Sequence, residues 1–220
     1  MSIKDNLLRI KSQLPENVIL VAVSKTKPVS DLMEAYNAGQ RIFGENKIQE
    51  MTEKWEQMPK DIQWHMIGHV QTNKVKYMAE YVSLIHGVDS LKLLQEINKQ
   101  AAKHNRIIDC LLQMYIAEEE TKFGLDEKEL EDILHIVQND KLQNIKVVGL
   151  MGMATFTDNQ TQIKMEFLNL KSTFDKINSL SIVNYQLSII SMGMSGDYNL
   201  AIECGSTMVR IGSSIFGNRK

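Results

Sequence analysis

The amino-acid sequence predicts a closed (β/α)8 barrel, the TIM-barrel form of the α/β class, and three observations support this. Short apolar runs typical of buried strands alternate with amphipathic helical patterns along the whole chain. No tract rich in proline, glycine or serine interrupts this alternation. Eight strands separated by helices favour a barrel over an open sheet, and residues 1–220 are expected to form a single domain. The eight strand-like runs occupy residues 18–24, 41–45, 64–68, 84–89, 108–116, 146–155, 185–192 and 208–217.

The first elements in the chain are a helix and a buried strand. Ser2 is suited to cap the helix, whose apolar face comprises Ile3, Leu7, Ile10 and Leu14. The following run, VILVAVS, is continuously apolar, as expected for a parallel strand covered on both faces. The last strand-like run ends close to the last residue of the sequence, so no helix is expected after it. We expect the extra N-terminal helix to cover the gap that this leaves in the outer ring.

The segments between the strands carry apolar residues at spacings of three and four. Such stripes, including their methionines, are interpreted as helix faces packed on the sheet. Clear examples are Ile48, Met51, Trp55 and Met58, then Leu130, Ile133, Leu134 and Val137, and Ile163, Phe167, Leu170, Phe174 and Ile177.

The composition argues against two kinds of partner. The formal net charge is -2, whereas binding to a nucleic-acid backbone requires a basic surface. No apolar run approaches the roughly 18 residues of a membrane span, and the N-terminus lacks an apolar signal core. Cys110 and Cys204 lie among apolar or small residues, so we expect buried, reduced thiols. These observations predict a cytoplasmic protein that binds neither nucleic acid nor membrane.

Small and polar residues cluster where the strands are expected to end. Barrel enzymes build their sites at the C-terminal ends of strands, and the ends of strands seven and eight are a usual place for a phosphate. These two ends carry SMGMS and GSS. Glycine allows close approach of the backbone, while N–H groups and serine hydroxyls can donate to an anion. The sequence therefore predicts an anion site at this end of the barrel.

Lys25 lies where the first strand should emerge from the barrel. A lysine at such a position is commonly a solvated cation, but the run before it is apolar. Desolvation and a nearby Arg210 would both disfavour its ammonium form. A neutral amine can form a Schiff base with a carbonyl, and beside a phosphate site pyridoxal 5′-phosphate is the carbonyl compound that stands out. Lys27, which follows the polar Thr26, is interpreted as the solvated lysine.

Five segments of the chain closely resemble signature segments of a known family. They are AVSKTKP, FGENKIQE, WHMIGHVQTNK, SMGMSGD and GSTMVRIGSSIFG, and they follow the family's order over nearly the whole chain. The family is the YggS/PROSC family of pyridoxal phosphate-binding proteins, also called pyridoxal phosphate homeostasis proteins. The resemblance implies a single barrel similar to the N-terminal domain of alanine racemase. His69 and Val70 stand where the family usually has proline and leucine, and Ser213 stands where threonine is common.

The resemblance also implies roles for individual residues. Lys25 matches the lysine that holds the cofactor as an internal aldimine. Ser195, Gly212 and Ser213 match positions that contact the phosphate. Asn46 matches a residue near the cofactor.

Arg210 matches the arginine that faces the pyridine nitrogen in this family. An arginine is always protonated and cannot accept a proton from that nitrogen. It would keep the nitrogen unprotonated and weaken carbanion stabilisation, which disfavours transamination and decarboxylation.

Three functions remain open from the sequence. The favoured one is a monomeric carrier or buffer of pyridoxal phosphate, without dedicated catalytic residues, that acts in vitamin B6 and amino-acid homeostasis and could supply apo-enzymes. The second is a weak amino-acid racemase, in which His65 or His69 would replace the base that a second domain of a partner subunit provides in two-domain racemases. The third is a cofactor-free Schiff-base aldolase that uses Lys25. No metal is expected, because His65 and His69 have zinc-pair spacing but straddle a strand-to-loop junction.

Overall fold

The computed structural model describes residues 2–119, 123–139, 142–180, 182, 184 and 186–217. Eight parallel strands close a barrel in the order β1 to β8, and β1 pairs with both β2 and β8. This confirms the predicted (β/α)8 fold. The strands are β1 Ile19–Val23, β2 Ile42–Glu45, β3 Gln63–Met66, β4 Val82–Val88, β5 Ile108–Gln113, β6 Ile145–Met151, β7 Ile189–Met194 and β8 Met208–Ile211.

Helices follow the strands and form the outer layer. A 3₁₀ helix, Thr72–Tyr77, takes the place of an α-helix between β3 and β4. The N-terminal helix begins after Ser2, whose side chain accepts a hydrogen bond from the Asp5 backbone, as expected for a cap. The α-helices are α1 Ile3–Gln13, α2 Val29–Asn37, α3 Ile48–Gln57, α4 Leu91–Lys103, α5 Glu127–Asn139, α6 Gln160–Leu180, α7 Tyr198–Glu203 and α8 Ser213–Phe216.

The prediction that no helix follows the last strand is wrong. The run at 208–217 divides into β8 and the short helix α8, because the chain turns at Gly212. The backbone amides of Ile215 and Phe216 both donate to the carbonyl of Gly212 at 2.9 Å, which closes the first turn of the helix. The N-terminal helix contacts α8, and the Asn6 side-chain amide donates to the carbonyl of Ile215 at 3.1 Å. Both helices therefore cover this part of the barrel.

The apolar core has two layers, as expected for a barrel. Alternate residues of a strand point to opposite faces, so Leu20 and Ala22 belong to the large cluster that packs under the helices. Val21 belongs to a second cluster made only of strand residues, which fills the barrel interior. This interior cluster consists of Val21, Leu84, Leu111, Val148, Met151 and Met208.

Strand β7 ends two residues later than the sequence predicts, and Tyr185, the first residue of the predicted strand, lies outside the described residues. The pairing with β8 shifts between Ser191 and Met194. Gly193 lies within this irregularity with φ of 94°, and a Cβ there would lie 2.6 Å from the Cβ of Ala201. Glycine is therefore required at this position, and the extended strand places Ser195 directly past its end.

Two further sequence predictions concern membrane-spanning segments and the state of the two cysteines. In the described part of the structure, no helix is long and apolar enough to cross a membrane. Cys110 and Cys204 are buried free thiols, as predicted. Burial raises the pKa of the Cys110 thiol, which makes it a poor nucleophile at neutral pH.

Candidate functional site

A cavity of about 520 Å³ opens at the carboxyl end of the barrel. Its volume lies in the range of small-molecule sites. All six residues selected from the sequence line it, namely Lys25, Asn46, Ser195, Arg210, Gly212 and Ser213. They come from the ends of β1, β2, β7 and β8, so barrel closure brings together residues from both ends of the chain.

Lys25 lies in a tight turn directly after β1 and is half-buried. The preceding residue, Ser24, continues the sheet, because its amide donates to the carbonyl of Gly44 at 3.0 Å. The following residue, Thr26, has φ of 65°, a left-handed conformation that is uncommon for residues other than glycine. Lys27 also lines the cavity, and its amine donates to the carbonyl of Phe216 at 2.9 Å. The interpretation of Lys27 as a solvated lysine is therefore wrong.

A buried charged cluster lies behind this turn. Oε1 of Glu45 accepts hydrogen bonds from the Ser24 hydroxyl at 2.6 Å and from the Lys54 amine at 2.7 Å. The Lys54 amine also donates to the carbonyl of Ser24 at 2.8 Å and to Glu50 at 2.7 Å. We call Ser24, Glu45, Glu50 and Lys54 the Lys54 cluster.

Burial raises the pKa of Glu45, although Lys54 and Ser24 act in the opposite direction. Its Oε2 is buried and has no hydrogen-bond partner among the residues that the structure describes. The sequence did not reveal the Lys54 cluster, because the contact between Glu45 and Lys54 depends on how α3 packs against the end of β2. The signal available was the i, i+4 spacing of Glu50 and Lys54 on α3.

Asn46 follows β2 and lies against the end of β3. The backbone of Asn46 is so close to Gly68 that a Cβ on Gly68 would lie 2.8 Å from the Asn46 Cα. A side chain at residue 68 would therefore displace Asn46. Glycine at this position lets Asn46 line the cavity beside Lys25.

Hydrogen-bond donors suited to an anion lie at the ends of β7 and β8. The backbone amide of Gly212 donates to the Ser195 hydroxyl oxygen at 3.2 Å, which leaves the hydroxyl proton available to a ligand. Ser213 begins α8, and the first N–H groups of a helix have no carbonyl partner within that helix. A Cβ on Gly212 would lie 3.1 Å from the carbonyl oxygen of Val23, so the backbone passes close to β1 here. The hydroxyls and amides of this corner match the needs of a phosphate group.

Arg210 lines the cavity as a buried cation. One nitrogen of its guanidinium, Nη1, donates to the carbonyl and hydroxyl oxygens of Ser191 at 2.8 and 2.6 Å. Nη2 donates to the carbonyl of Gly152 at 3.1 Å. Burial lowers the pKa of Arg210 to about 10, with Asp197 opposing the shift, so the guanidinium remains protonated at neutral pH.

Two buried histidines extend this network below the cavity. Nδ1 of His86 lies 3.0 Å from the Ser191 hydroxyl oxygen, and Nε2 of His86 lies 3.0 Å from Nδ1 of His65. Because Arg210 can only donate, all contacts are satisfied when Ser191 donates to His86 and His86 donates to His65. His86 lies within β4, and its pairing with His65 was not predicted from the sequence. Burial lowers the pKa of His65 to about 3 and that of His86 well below its usual value, so both rings are neutral.

This histidine pair predicts acid sensitivity of the fold. Below about pH 6.5 the unfolded chain binds protons that the buried rings do not, so stability is lost as the pH falls. Each ring should lower the free energy of unfolding by about 1.4 kcal/mol per pH unit in this range. Urea denaturation at several pH values measures this slope. The variant His65→Gln should reduce the slope by one ring, and equal slopes in wild type and variant would contradict the prediction.

His65 and His69, which the sequence left open as the second base of a racemase, lie in different environments. His65 is buried in the barrel, whereas His69 is exposed and its Nδ1 lies 3.1 Å from Asp89. In the ranges that the structure describes, no group of three or more histidine, cysteine or acidic residues could hold a metal ion. Neither histidine is among the described residues that line the cavity.

The barrel and the cavity lined by Lys25 define a class of protein. Comparison with known proteins identifies that class. A family model described as alanine racemase, N-terminal domain, matches residues 1–220. The chain is similar to the alanine racemase of Clostridium difficile 630, with a TM-score of 0.81 and 16% identity, over 99% of this chain and 60% of the racemase. At this identity the likeness concerns the fold alone.

Proteins with higher sequence identity to this chain identify its family. The chain is 40% identical over 202 residues to a pyridoxal phosphate homeostasis protein of Aquifex aeolicus, covering 91% of this chain and 87% of that protein. It is 33% identical to PipY of Synechococcus elongatus PCC7942, whose structure with pyridoxal phosphate bound has a TM-score of 0.90 and covers 98% of this chain and 100% of PipY. The chain belongs to the family of pyridoxal phosphate homeostasis proteins, which confirms the resemblance seen in the sequence.

Proposed function

We propose that this chain binds pyridoxal 5′-phosphate through Lys25 and acts as a carrier or buffer of the cofactor in vitamin B6 and amino-acid homeostasis. The observation that carries the proposal is that one cavity holds all six selected residues, so that an amine and several anion donors line the same space. The name of the Aquifex relative and the bound cofactor in PipY support it.

Each group of the cofactor has a counterpart in the cavity. The amine of Lys25 would join the aldehyde as a Schiff base, the linkage that the sequence predicts. Ser195, Gly212 and Ser213 would bind the phosphate through hydroxyls and backbone amides. Arg210 would face the pyridine nitrogen as a fixed cation, because its guanidinium is held by three hydrogen bonds. Asn46 would lie beside the ring.

A role without dedicated turnover is favoured over racemisation. A racemase needs acid–base groups on both faces of the substrate α-carbon. The two candidates for the second group, His65 and His69, are absent from the described lining of the cavity. Burial also holds His65 as a neutral ring whose pKa is lowered to about 3, so it is a weak base.

The wider role is part of the same proposal. A carrier in the cytoplasm would bind apo-enzymes that need pyridoxal phosphate and release the cofactor to them. A single barrel domain could do this as a monomer, since every residue assigned to the cofactor comes from one chain.

The direct test is attachment of the cofactor to the purified protein. Pyridoxal phosphate is titrated into the protein while the absorption spectrum is recorded, and the mixture is then reduced with borohydride and digested. We expect a yellow species and a reduced adduct on the peptide that contains Lys25. Absence of any adduct with excess cofactor would overturn the proposal. An adduct only with a keto substrate and no cofactor would favour the aldolase instead.

A further inference from the structure

We propose that Glu50 and Lys54 are positioning residues that hold the turn around Lys25 in the conformation that presents its amine to the cavity. They do not line the cavity in its described part and act through the backbone of the turn. The inference deepens the proposed function and rests on it, since it concerns the same lysine.

The backbone is anchored on both sides of Lys25. Before it, the carbonyl of Ser24 accepts from the Lys54 amine at 2.8 Å. After it, the amide of Thr26 donates to Oε1 of Glu50 at 2.6 Å. The two anchors are joined, because the Lys54 amine donates to that same Oε1 at 2.7 Å. Lys25 is therefore the residue between two fixed points of one charged cluster.

The conformation of the turn needs such anchors. Thr26 is β-branched and has φ of 65°, where the side chain crowds the backbone. A non-glycine residue in this region persists only when its surroundings hold it there. The Thr26 amide is held by a carboxylate, which is a stronger acceptor than a neutral carbonyl. Without that acceptor, the turn is expected to relax and the direction of the Lys25 side chain to change.

Because of where Glu50 lies, its positioning role can be tested without a large change in the stability of the barrel. Glu45, which is fully buried, also accepts from the Lys54 amine and remains to balance its charge when Glu50 is removed. The side chain of Glu50 is 23% exposed, so shortening it leaves no large cavity in the core. Loss of Glu50 should therefore release the turn while the barrel stays folded.

Positioning affects the rate of attachment more than the binding of the phosphate. Attachment forms a bond between the lysine nitrogen and the aldehyde carbon and releases one molecule of water. Misplacing a reacting group costs rate steeply, so Glu50→Ala should slow attachment on the order of ten- to a hundredfold. The affinity for pyridoxine 5′-phosphate, which has the phosphate but no aldehyde, should be unchanged.

The experiment compares wild type with Glu50→Ala, Glu50→Gln and Glu53→Ala. Glu53→Ala removes an exposed carboxylate from the same helix and is the matched control. Glu50→Gln keeps an oxygen that can accept from Thr26, so it should recover most of the rate. Hydrogen exchange at the Thr26 amide, measured by NMR without cofactor, should be slow in wild type, Glu50→Gln and Glu53→Ala and fast in Glu50→Ala.

Each outcome has a separate meaning. Attachment of pyridoxal phosphate to Glu50→Ala at the wild-type rate would overturn the positioning role. A loss of affinity for pyridoxine 5′-phosphate as large as the loss of attachment rate would overturn it as well. Fast exchange of the Thr26 amide in wild type would also overturn it, and this measurement needs no variant to fold. If wild type attaches no pyridoxal phosphate at all, the proposed function fails instead.

Discussion

Replacing Lys25 by alanine is expected to abolish covalent retention of pyridoxal phosphate while the barrel stays folded. Lys25 is half-buried in a turn outside the strand, so truncation removes no part of either apolar cluster. The donors contributed by Ser195, Gly212 and Ser213 are untouched, so the phosphate should still bind without a bond to the protein. Dialysis followed by absorption spectroscopy measures retention. Wild type should keep the cofactor, whereas the variant should lose essentially all of it.

Lys27→Ala is the matched control for this prediction. Lys27 lies two residues away, lines the same cavity and is also half-buried, but its amine is bonded to the carbonyl of Phe216. We expect this variant to retain the cofactor covalently, with at most a small loss of stability at α8. Retention by Lys25→Ala, or equal loss by both variants, would show that Lys25 is not the attachment site.

The sequence was sufficient to predict the barrel and the position of the cavity, because both follow from local patterns. Continuous apolar runs mark strands covered on both faces, and eight of them separated by helices leave few alternatives to a closed barrel. Parallel strands all end at the same face, so residues that follow them gather there whatever the details of the loops. Lys25 and Ser195 could therefore be placed at one mouth although they are far apart in the chain.

The side-chain contacts that the sequence did not predict depend on how strands and helices pack against one another. Glu45 is the last residue of β2. Its hydrogen bond with Lys54 depends on how α3 packs against the barrel. His65 and His86 lie on neighbouring strands, and their contact depends on a register that shifts between Trp64 and His65. A sequence pattern does not give the pairing register of neighbouring strands. It also does not show on which side of a strand end a helix packs.

The error at the end of the chain has a different cause. The run at 208–217 is apolar enough for one strand, but Gly212 lets the backbone turn and the next four residues form α8. Strand and short helix cannot be distinguished by apolar content over so few residues. This matters for the site, because the turn at Gly212 brings Ser213 and the Ser195 hydroxyl to the same corner of the cavity.

Replacing Lys54 by methionine is expected to lower the free energy of unfolding by about 3 kcal/mol, the typical result of removing one partner from a buried ion pair. The Lys54 side chain is 6% exposed and that of Glu45 is 0% exposed, so the carboxylate would remain in the core without its cation. Urea denaturation at about pH 7.5 measures the loss, with Lys103→Met as a control that removes an exposed lysine. The double variant Glu45→Gln and Lys54→Met should recover most of the loss, because residue 45, whose side chain is fully buried, then carries no charge.

The deficit of Lys54→Met should depend on pH in a direction set by Glu45. Burial already raises the pKa of Glu45, and loss of Lys54 removes the nearby charge that opposes this rise. Between the ordinary carboxyl value of 4.5 and the raised pKa of Glu45 in the folded variant, the folded chain holds a proton that the unfolded chain has lost, so the stability of the variant rises as the pH falls through this range. The gap between the variant and wild type should therefore be smaller at about pH 5.5 than at about pH 8. A gap that stays constant or widens on acidification would show that the loss comes from packing at residue 54 and not from the buried charge of Glu45.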